Sequence, residues 1–151
     1  MPAELLDGIR VLDLGSGISA PWCAKILADY GAEVIKVESP GSGDDARRMG
    51  PFAGDDPNLE KSVTFLYLNT NKKGVTLDPS TVSGRALLNR LVADADVLVE
   101  NNPPARSKEL GLECCELVQI PSFDGGLSRR LARIFLRLPV AVLRAVFSAG
   151  F

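Results

Sequence analysis

An α/β fold built on a Rossmann-like, doubly wound parallel sheet is what this sequence predicts, and three observations predict it. A nearly continuous apolar run over residues 9–14 opens directly into Gly15-Ser16-Gly17-Ile18-Ser19-Ala20-Pro21. A helical pattern and a second apolar run, Val34-Ile35-Lys36-Val37, follow and end on Glu38. Strand-like and helix-like patterns then go on alternating as far as Asn101. Alternation of this kind calls for parallel strands joined by crossover helices, with ligand contacts gathered at the carboxyl ends of the strands.

Each element has its own signal. Residues 9–14 lack polar alternation, as a strand covered on both faces should. Ser19 is placed to cap the next helix and Pro21 to sit in its first turn. Ile26, Leu27 and Tyr30 supply that helix with a buried stripe, and Gly31 ends it. The second strand covers 33–37. Residues 39–61 form a long connection rich in Pro, Gly and Asp, of a kind that tends to be functional. Residues 65–68 lead into the polar Asn69-Thr70-Asn71-Lys72-Lys73, and 74–78 read as a third strand. Asp78 caps a helix from 79 to about 93, with Leu87, Leu88, Leu91 and Val92 facing inward. Residues 96–100 make a fourth strand ending at Asn101.

Composition narrows the function. A chain of 151 residues, 46% apolar, fits one domain with a real core. A net charge of −2 gives no reason to expect nucleic acid as a partner. The sequence has no 18-residue apolar span and no basic-then-apolar leader, so a cytoplasmic location is expected. Cys23, Cys114 and Cys115 suit neither a disulfide framework nor a zinc site, and no metal is expected. The absence of histidine removes Ser-His-Asp, Cys-His and most imidazole acid–base mechanisms from this chain. Charge also divides the sequence: residues 1–112 carry a net −4 and residues 113–151 a net +2, with no acid from Leu127 onward. We read 1–112 as one organised segment and 113–151 as a different, basic tail.

Gly15-x-Gly17-x-x-Ala20 fits the G-x-G-x-x-G/A pattern of dinucleotide sites, and Glu38 lies at a suitable distance to accept a ribose hydroxyl. A glycine-rich turn also occurs where a strand merely needs a tight exit. Pro21, directly after the motif, removes an amide that could face phosphate. The wider pattern is more specific. Val11-Leu12-Asp13-Leu14, Ala20-Pro21, and the unbroken run from Asp29-Tyr30-Gly31-Ala32 to Val37-Glu38 occur in order with Pro40-Gly41-Ser42-Gly43-Asp44. Leu68-Asn69-Thr70-Asn71-Lys72-Lys73-Gly74 and Ala95-Asp96-Val97-Leu98-Val99-Glu100-Asn101 follow. Together these blocks closely resemble the amino-terminal part of the family III CoA-transferases, a superfamily that includes formyl-CoA transferase, carnitine CoA-transferase and 2-methylacyl-CoA racemase. The resemblance covers residues 5 to about 112.

That resemblance implies coenzyme A or an acyl-CoA as the ligand, and it implies roles. Lys72 resembles the family lysine that meets the CoA nucleotide, where a flexible ammonium suits phosphate; the alternative is a solvated loop lysine, and Lys73 is a possible substitute. Asn101 resembles the family asparagine lining the CoA groove, and a loop-capping asparagine is the other reading. Gly17, Ile18, Ser19 and Ala20 match the family's CoA-facing turn, in which small residues let a ligand approach the backbone. Glu38 either holds a ribose hydroxyl or terminates a strand. Arg47 and Arg48 lie in the long loop, within possible reach of phosphate.

Departures from the family pattern are also informative. Ser39 replaces a basic residue, Asn102-Pro103-Pro104-Ala105 replaces Phe-Arg-Pro-Gly, and Glu109 replaces an arginine, which weakens the phosphate clamp or moves it to Arg106 or Lys108. After Leu112 the pattern stops. The family's catalytic aspartate, which forms covalent acyl intermediates, has no counterpart in context; Asp124 before two glycines reads as a turn residue. The racemase branch needs a histidine that is missing here. No catalytic residue is therefore assigned, and the chain is expected to be the amino-terminal half of the family's large domain, its sheet incomplete. Intact members transfer CoA between carboxylic acids as interlocked homodimers, so a second copy or a complementing chain is the expected partner, and the chain alone is expected to be inactive. In the tail, Leu127, Leu131, Ile134, Phe135 and Leu138 recur at helical spacing between arginines, and Pro139 precedes a second apolar run. Residues 127–147 suit contact with a membrane surface or a partner groove. An Arg-rich, Lys-free ending also fits a frameshift or truncated gene, the reading we favour, and a loosely attached tail would follow.

Overall fold

The computed structural model describes residues 5–112, 117–119 and 141–144. The elements in chain order are β1 (Arg10–Asp13), α1 (Ser19–Asp29), β2 (Glu33–Glu38), 3-10 turns at Asp45–Arg48 and Ala53–Asp55, α2 (Val63–Leu68) and β3 (Lys72–Thr76). They continue with α3 (Val82–Ala93), β4 (Val97–Glu100), α4 (Pro104–Glu109), β5 (Leu117–Gln119) and β6 (Ala141–Arg144). The strands form one sheet in the order β3-β2-β1-β4-β6-β5. Every pairing in it is parallel.

Alternate residues of β1 leave for opposite faces of the sheet, so Val11 and Leu12 nucleate two cores. On one face Val11, Val34 and Val99 meet Ala20, Ala24 and Ala28 of α1. On the other, Leu12 and Leu98 meet Leu88 of α3, with Leu110 and Leu112 closing the cluster. Helical layers on both faces make the sheet doubly wound, as the strand patterns predict.

The structure corrects several local expectations. Helix α1 begins at Ser19 itself, behind Ile18, whose side chain makes no capping bond. Its buried stripe is Ala20, Ala24 and Ala28, while Ile26 and Tyr30 are exposed and Leu27 is only partly buried. Small residues at four-residue spacing let the helix lie close on the sheet, which turns the larger side chains outward. Residues 65–68, read as a mere lead-in, belong to helix α2, which starts at Val63 and is capped by Ser62 accepting from the Phe65 amide. The third strand starts two residues earlier than expected, at Lys72. Thr81 caps α3 by accepting from the Gly84 amide, while Asp78 instead binds Ser80. Leu87 is exposed, not inward.

Beyond Leu112, β6 pairs with β4 over four residues and β5 with β6 over three, which adds these segments to the sheet. The helical pattern over 127–138, Asp124, Cys114 and Cys115 lie outside the described residues.

Candidate functional site

The strand order places the site. From β1 the chain crosses to β2 on one side, while β4 pairs on the other. The carboxyl ends of β1 and β4 therefore flank a topological switch point, where ligands of parallel α/β sheets bind. The turn that leaves β1 there needs its glycines. A Cβ on Gly15 would stand 2.2 Å from that of Ala20, and Gly17 has a φ of +74°. Asn101, one residue past β4, clasps this turn from the opposite strand. Its carbonyl oxygen accepts from the Ser16 amide at 2.9 Å. Its amide donates to the Ser16 carbonyl at 2.8 Å and to Ser19 Oγ at 3.1 Å. Ile18 projects into solvent from the same turn, and Ser19 is half-buried.

Four buried charges hold the turn from below. Asp13 and Asp44 have side chains 0% exposed, Lys36 2% and Lys72 1%. Lys72 Nζ lies 2.8 Å from Asp13 Oδ2 and also donates to the carbonyl of Pro21 and to Asn69 Oδ1. Lys36 Nζ lies 2.5 Å from Asp44 Oδ2 and 3.7 Å from Asp13, and donates to the Gly15 carbonyl. The other oxygen of Asp13 accepts from the Gly15 amide. Burial pushes Lys72 below the ordinary lysine range, although Asp13 beside it opposes that shift. Burial, reinforced by the Asp13 charge, pushes the Cys23 thiol up to about 11, so it is a poor nucleophile.

The remaining sequence candidates scatter. Glu38 forms a two-pronged pair with Arg47 at 2.7 and 2.9 Å and accepts from the Asp44 amide. Lys73 sits next to Lys72 on a strand and so faces the opposite way; it pairs with Glu33 near the amino ends of the strands. Arg48 donates to the Ser42 carbonyl and pairs with Asp45. Thus the turn, Asn101 and Lys72 come together, Glu38 joins them through Asp44, and Lys73 stands apart. A cleft of about 250 Å³ opens beside the turn, lined by Glu38, Ser39, Asp45, Asn102 and Arg106 among others. Two of the departures from the family pattern, at Ser39 and Asn102, line it, and a third, Glu109, pairs with Arg106 at 3.0 Å. Sequence reasoning missed Asp13, Lys36 and Asp44. The signal for the first two was a charge set inside an otherwise apolar strand.

Comparison with known proteins gives this site a context. The family described as CoA-transferase family III matches residues 6–121. A succinyl-CoA–D-citramalate CoA-transferase of Chloroflexus aurantiacus is 44% identical over 118 residues, which are 77% of this chain and 28% of that protein. A formyl-CoA:oxalate CoA-transferase of Rhodopseudomonas palustris is 44% identical over 108 residues, 72% of this chain and 24% of that one. Among solved structures, a CAIB/BAIF family protein from Brucella suis superposes with a TM-score of 0.64 at 39% identity, covering 73% of this chain and 29% of that one. A hypothetical protein from Mycobacterium tuberculosis gives a TM-score of 0.63 at 41% identity, covering 74% and 29%. The chain thus spans less than a third of the length of these relatives.

Proposed function

Because the chain belongs to CoA-transferase family III, we propose that it binds the nucleotide end of CoA or an acyl-CoA at the switch-point turn Gly17-Ile18-Ser19-Ala20. The observation that carries this reading is the position of the turn. It stands at the carboxyl ends of β1 and β4, clasped by Asn101, in the segment shared with proteins named as CoA-transferases. The first amides of α1 have no acceptors within the helix, and an anionic ligand is favoured there. Asn101 and Lys72 act by holding the turn in shape, Asn101 directly and Lys72 through Asp13 and the Pro21 carbonyl. Glu38 acts one step further out, by fixing the loop around Asp44.

Transfer of CoA between carboxylic acids is proposed for an assembly in which residues beyond those shared with the relatives supply the acyl chemistry. A second copy of the chain, or a complementing chain, is the partner that reading requires, and the cytoplasm is where it would work. Among the described residues no helix is long and apolar enough to cross a membrane, and no three His, Cys, Asp or Glu side chains gather as a metal site would.

Calorimetric titration of the chain with CoA and with NAD tests the reading. CoA is expected to bind more tightly. Ile18→Asp places a negative charge on the exposed turn without entering the core, and is expected to weaken CoA at least tenfold. Tighter binding of NAD, or CoA binding indifferent to Ile18→Asp, would remove the turn from the site.

A further inference from the structure

The glycine turn has the donors of a phosphate site, and one of the chain's own carboxylates already occupies them. Asp44 Oδ1 accepts from the Gly17 amide at 2.8 Å, from the Ala46 amide at 2.8 Å and from Ser16 Oγ at 3.4 Å. Its second oxygen faces Lys36 Nζ at 2.5 Å, and neither side chain has more than 2% exposure. Two converging amides, a hydroxyl and a buried ammonium make up the donor set with which a protein holds a phosphate oxygen cluster. In G-x-G-x-x-G/A turns the second glycine is there so that a pyrophosphate can reach the backbone. Here the Gly17 amide is directed at Asp44 instead.

We propose that Asp44 is a built-in anion that fills the phosphate niche of this turn and thereby determines which ligands the turn refuses. A dinucleotide pyrophosphate approaching the Gly17 amide would meet a carboxylate in van der Waals contact, with like charge and no space. The niche is lost to ligands, but the outward-facing side of the turn, Ile18 and Ser19, stays open. The same carboxylate pins the long loop to the turn. Asp44 donates its own amide to Glu38, and the next residue, Asp45, donates its amide to Ser16 Oγ. Loop residues 44–48 therefore close over the niche as a strap whose buckle is Asp44. This inference concerns the inner side of the turn and does not depend on CoA being the ligand of the outer side.

Chemical rescue provides the test. In Asp44→Ala the amides of Gly17 and Ala46, Ser16 Oγ and Lys36 Nζ are left facing the space that the carboxylate vacates. The melting temperature of that variant is expected to fall, then to recover saturably on adding inorganic phosphate at constant ionic strength. Its apparent phosphate affinity should exceed that of the native chain at least tenfold. Lys36→Met combined with Asp44→Ala should abolish the recovery. A phosphate response of Asp44→Ala no greater than the native chain's would overturn the proposal. The native chain supplies an arm that does not depend on the variant folding. Its Gly17 and Ala46 amide resonances, in the nitrogen-15 labelled protein, should not move with phosphate; saturable movement would show that the niche is open and sink the idea. A parallel CoA titration reports on the outer side alone, so the two amides still decide the state of the niche even where CoA fails to bind.

Discussion

Lys72 is better understood as the counter-charge of Asp13 than as a free hand extended to a ligand. Both groups are out of water, and removing Lys72 leaves Asp13 with the more distant Lys36 Nζ, at 3.7 Å, as its counter-charge; breaking a buried pair typically costs about 3–5 kcal/mol, the lower end applying here. Lys72→Met is therefore expected to lower unfolding free energy by about 3 kcal/mol, and the Asp13→Asn/Lys72→Met pair by less than the sum of the single changes. Denaturant unfolding of the three variants measures this, and a loss below about 1 kcal/mol would mean the pair behaves like a surface one. Weaker ligand binding in a Lys72 variant would then need a fold control before it counted as a lost contact. Glu38 makes a second prediction. Burial raises its carboxyl pKa, but the Arg47 pair and the Asp44 amide outweigh that and hold it below the ordinary 4.5. A carboxyl depressed in the folded state gives stability that is present above its unfolded value and lost as pH falls through the folded one. Glu38→Gln should thus cost about 2 kcal/mol near neutrality, and the gap to the native chain should close as pH falls below the ordinary carboxylate value. A gap constant across that range would assign the loss to shape, not charge. Motif reading singled out Asn101, Glu38 and Lys72 because each sits in a recognisable string. It did not find Asp44 or Lys36 as a pair, because Asp44 in a glycine-rich loop reads as a turn former until the fold brings it to Gly17.

Helix α3 is set by a close approach that only glycine allows. A Cβ on Gly84 would lie 1.8 Å from the Asp78 carbonyl oxygen and 2.8 Å from Thr81 Oγ1, the oxygen that caps the helix. Gly84→Ala gains helix propensity but must push the 78–81 turn away from the helix. The steric cost is expected to win, with a net loss of about 2–3 kcal/mol, at the upper end of overpacking penalties. A melting temperature equal to or above the native value would show that the turn yields freely. Elements whose apolar faces are buried were legible in the sequence: β1, β2 and β4 follow from largely apolar runs that a single charge interrupts or ends, and α3 from its leucines. The misreadings share a cause. Helix α2, Val-Thr-Phe-Leu-Tyr-Leu, draws four of its six residues from the β-branched and aromatic types that favour strands, and its capping Ser62 lies among ordinary loop residues. Strand β3 is largely exposed along its length, so it carries no alternation to fix its bounds; pairing of Lys72 with Val34 and Thr76 with Glu38 fixes them instead. In α1 the large apolar residues drew attention from the alanines that make the contact. Trp22 and Tyr67, with ring centroids 5.7 Å apart, lie instead on the outer surface.

Across the molecule, the question left by the sequence is whether the basic tail belongs to the fold. The family match continues to residue 121, past the end of the resemblance visible in the motifs. Strand β6, at Ala141–Arg144, lies beside β4. That neighbour matters because β4 is, with β1, among the most deeply buried strands of the sheet, with Leu98 and Val99 at 0% and Glu100 at 1%. Cutting the chain after Leu112 would convert β4 from an interior strand to an edge. Its amides and carbonyls on that side would lose their partners, and an unprotected apolar edge invites pairing with other copies. The strands Leu117–Gln119 and Ala141–Arg144 are therefore expected to protect the sheet, and their loss to outweigh any gain in solubility from removing the apolar stripe of the tail sequence. The shortened chain should melt at a lower temperature and over a broader range than the full chain, and should precipitate at concentrations at which the full chain stays in solution. Soluble yield, thermal melting and light scattering of the two, side by side, decide the matter. If residues 1–112 melt cooperatively at the same temperature and remain monodisperse, the tail contributes nothing to the domain, and the frameshift reading of its sequence stands.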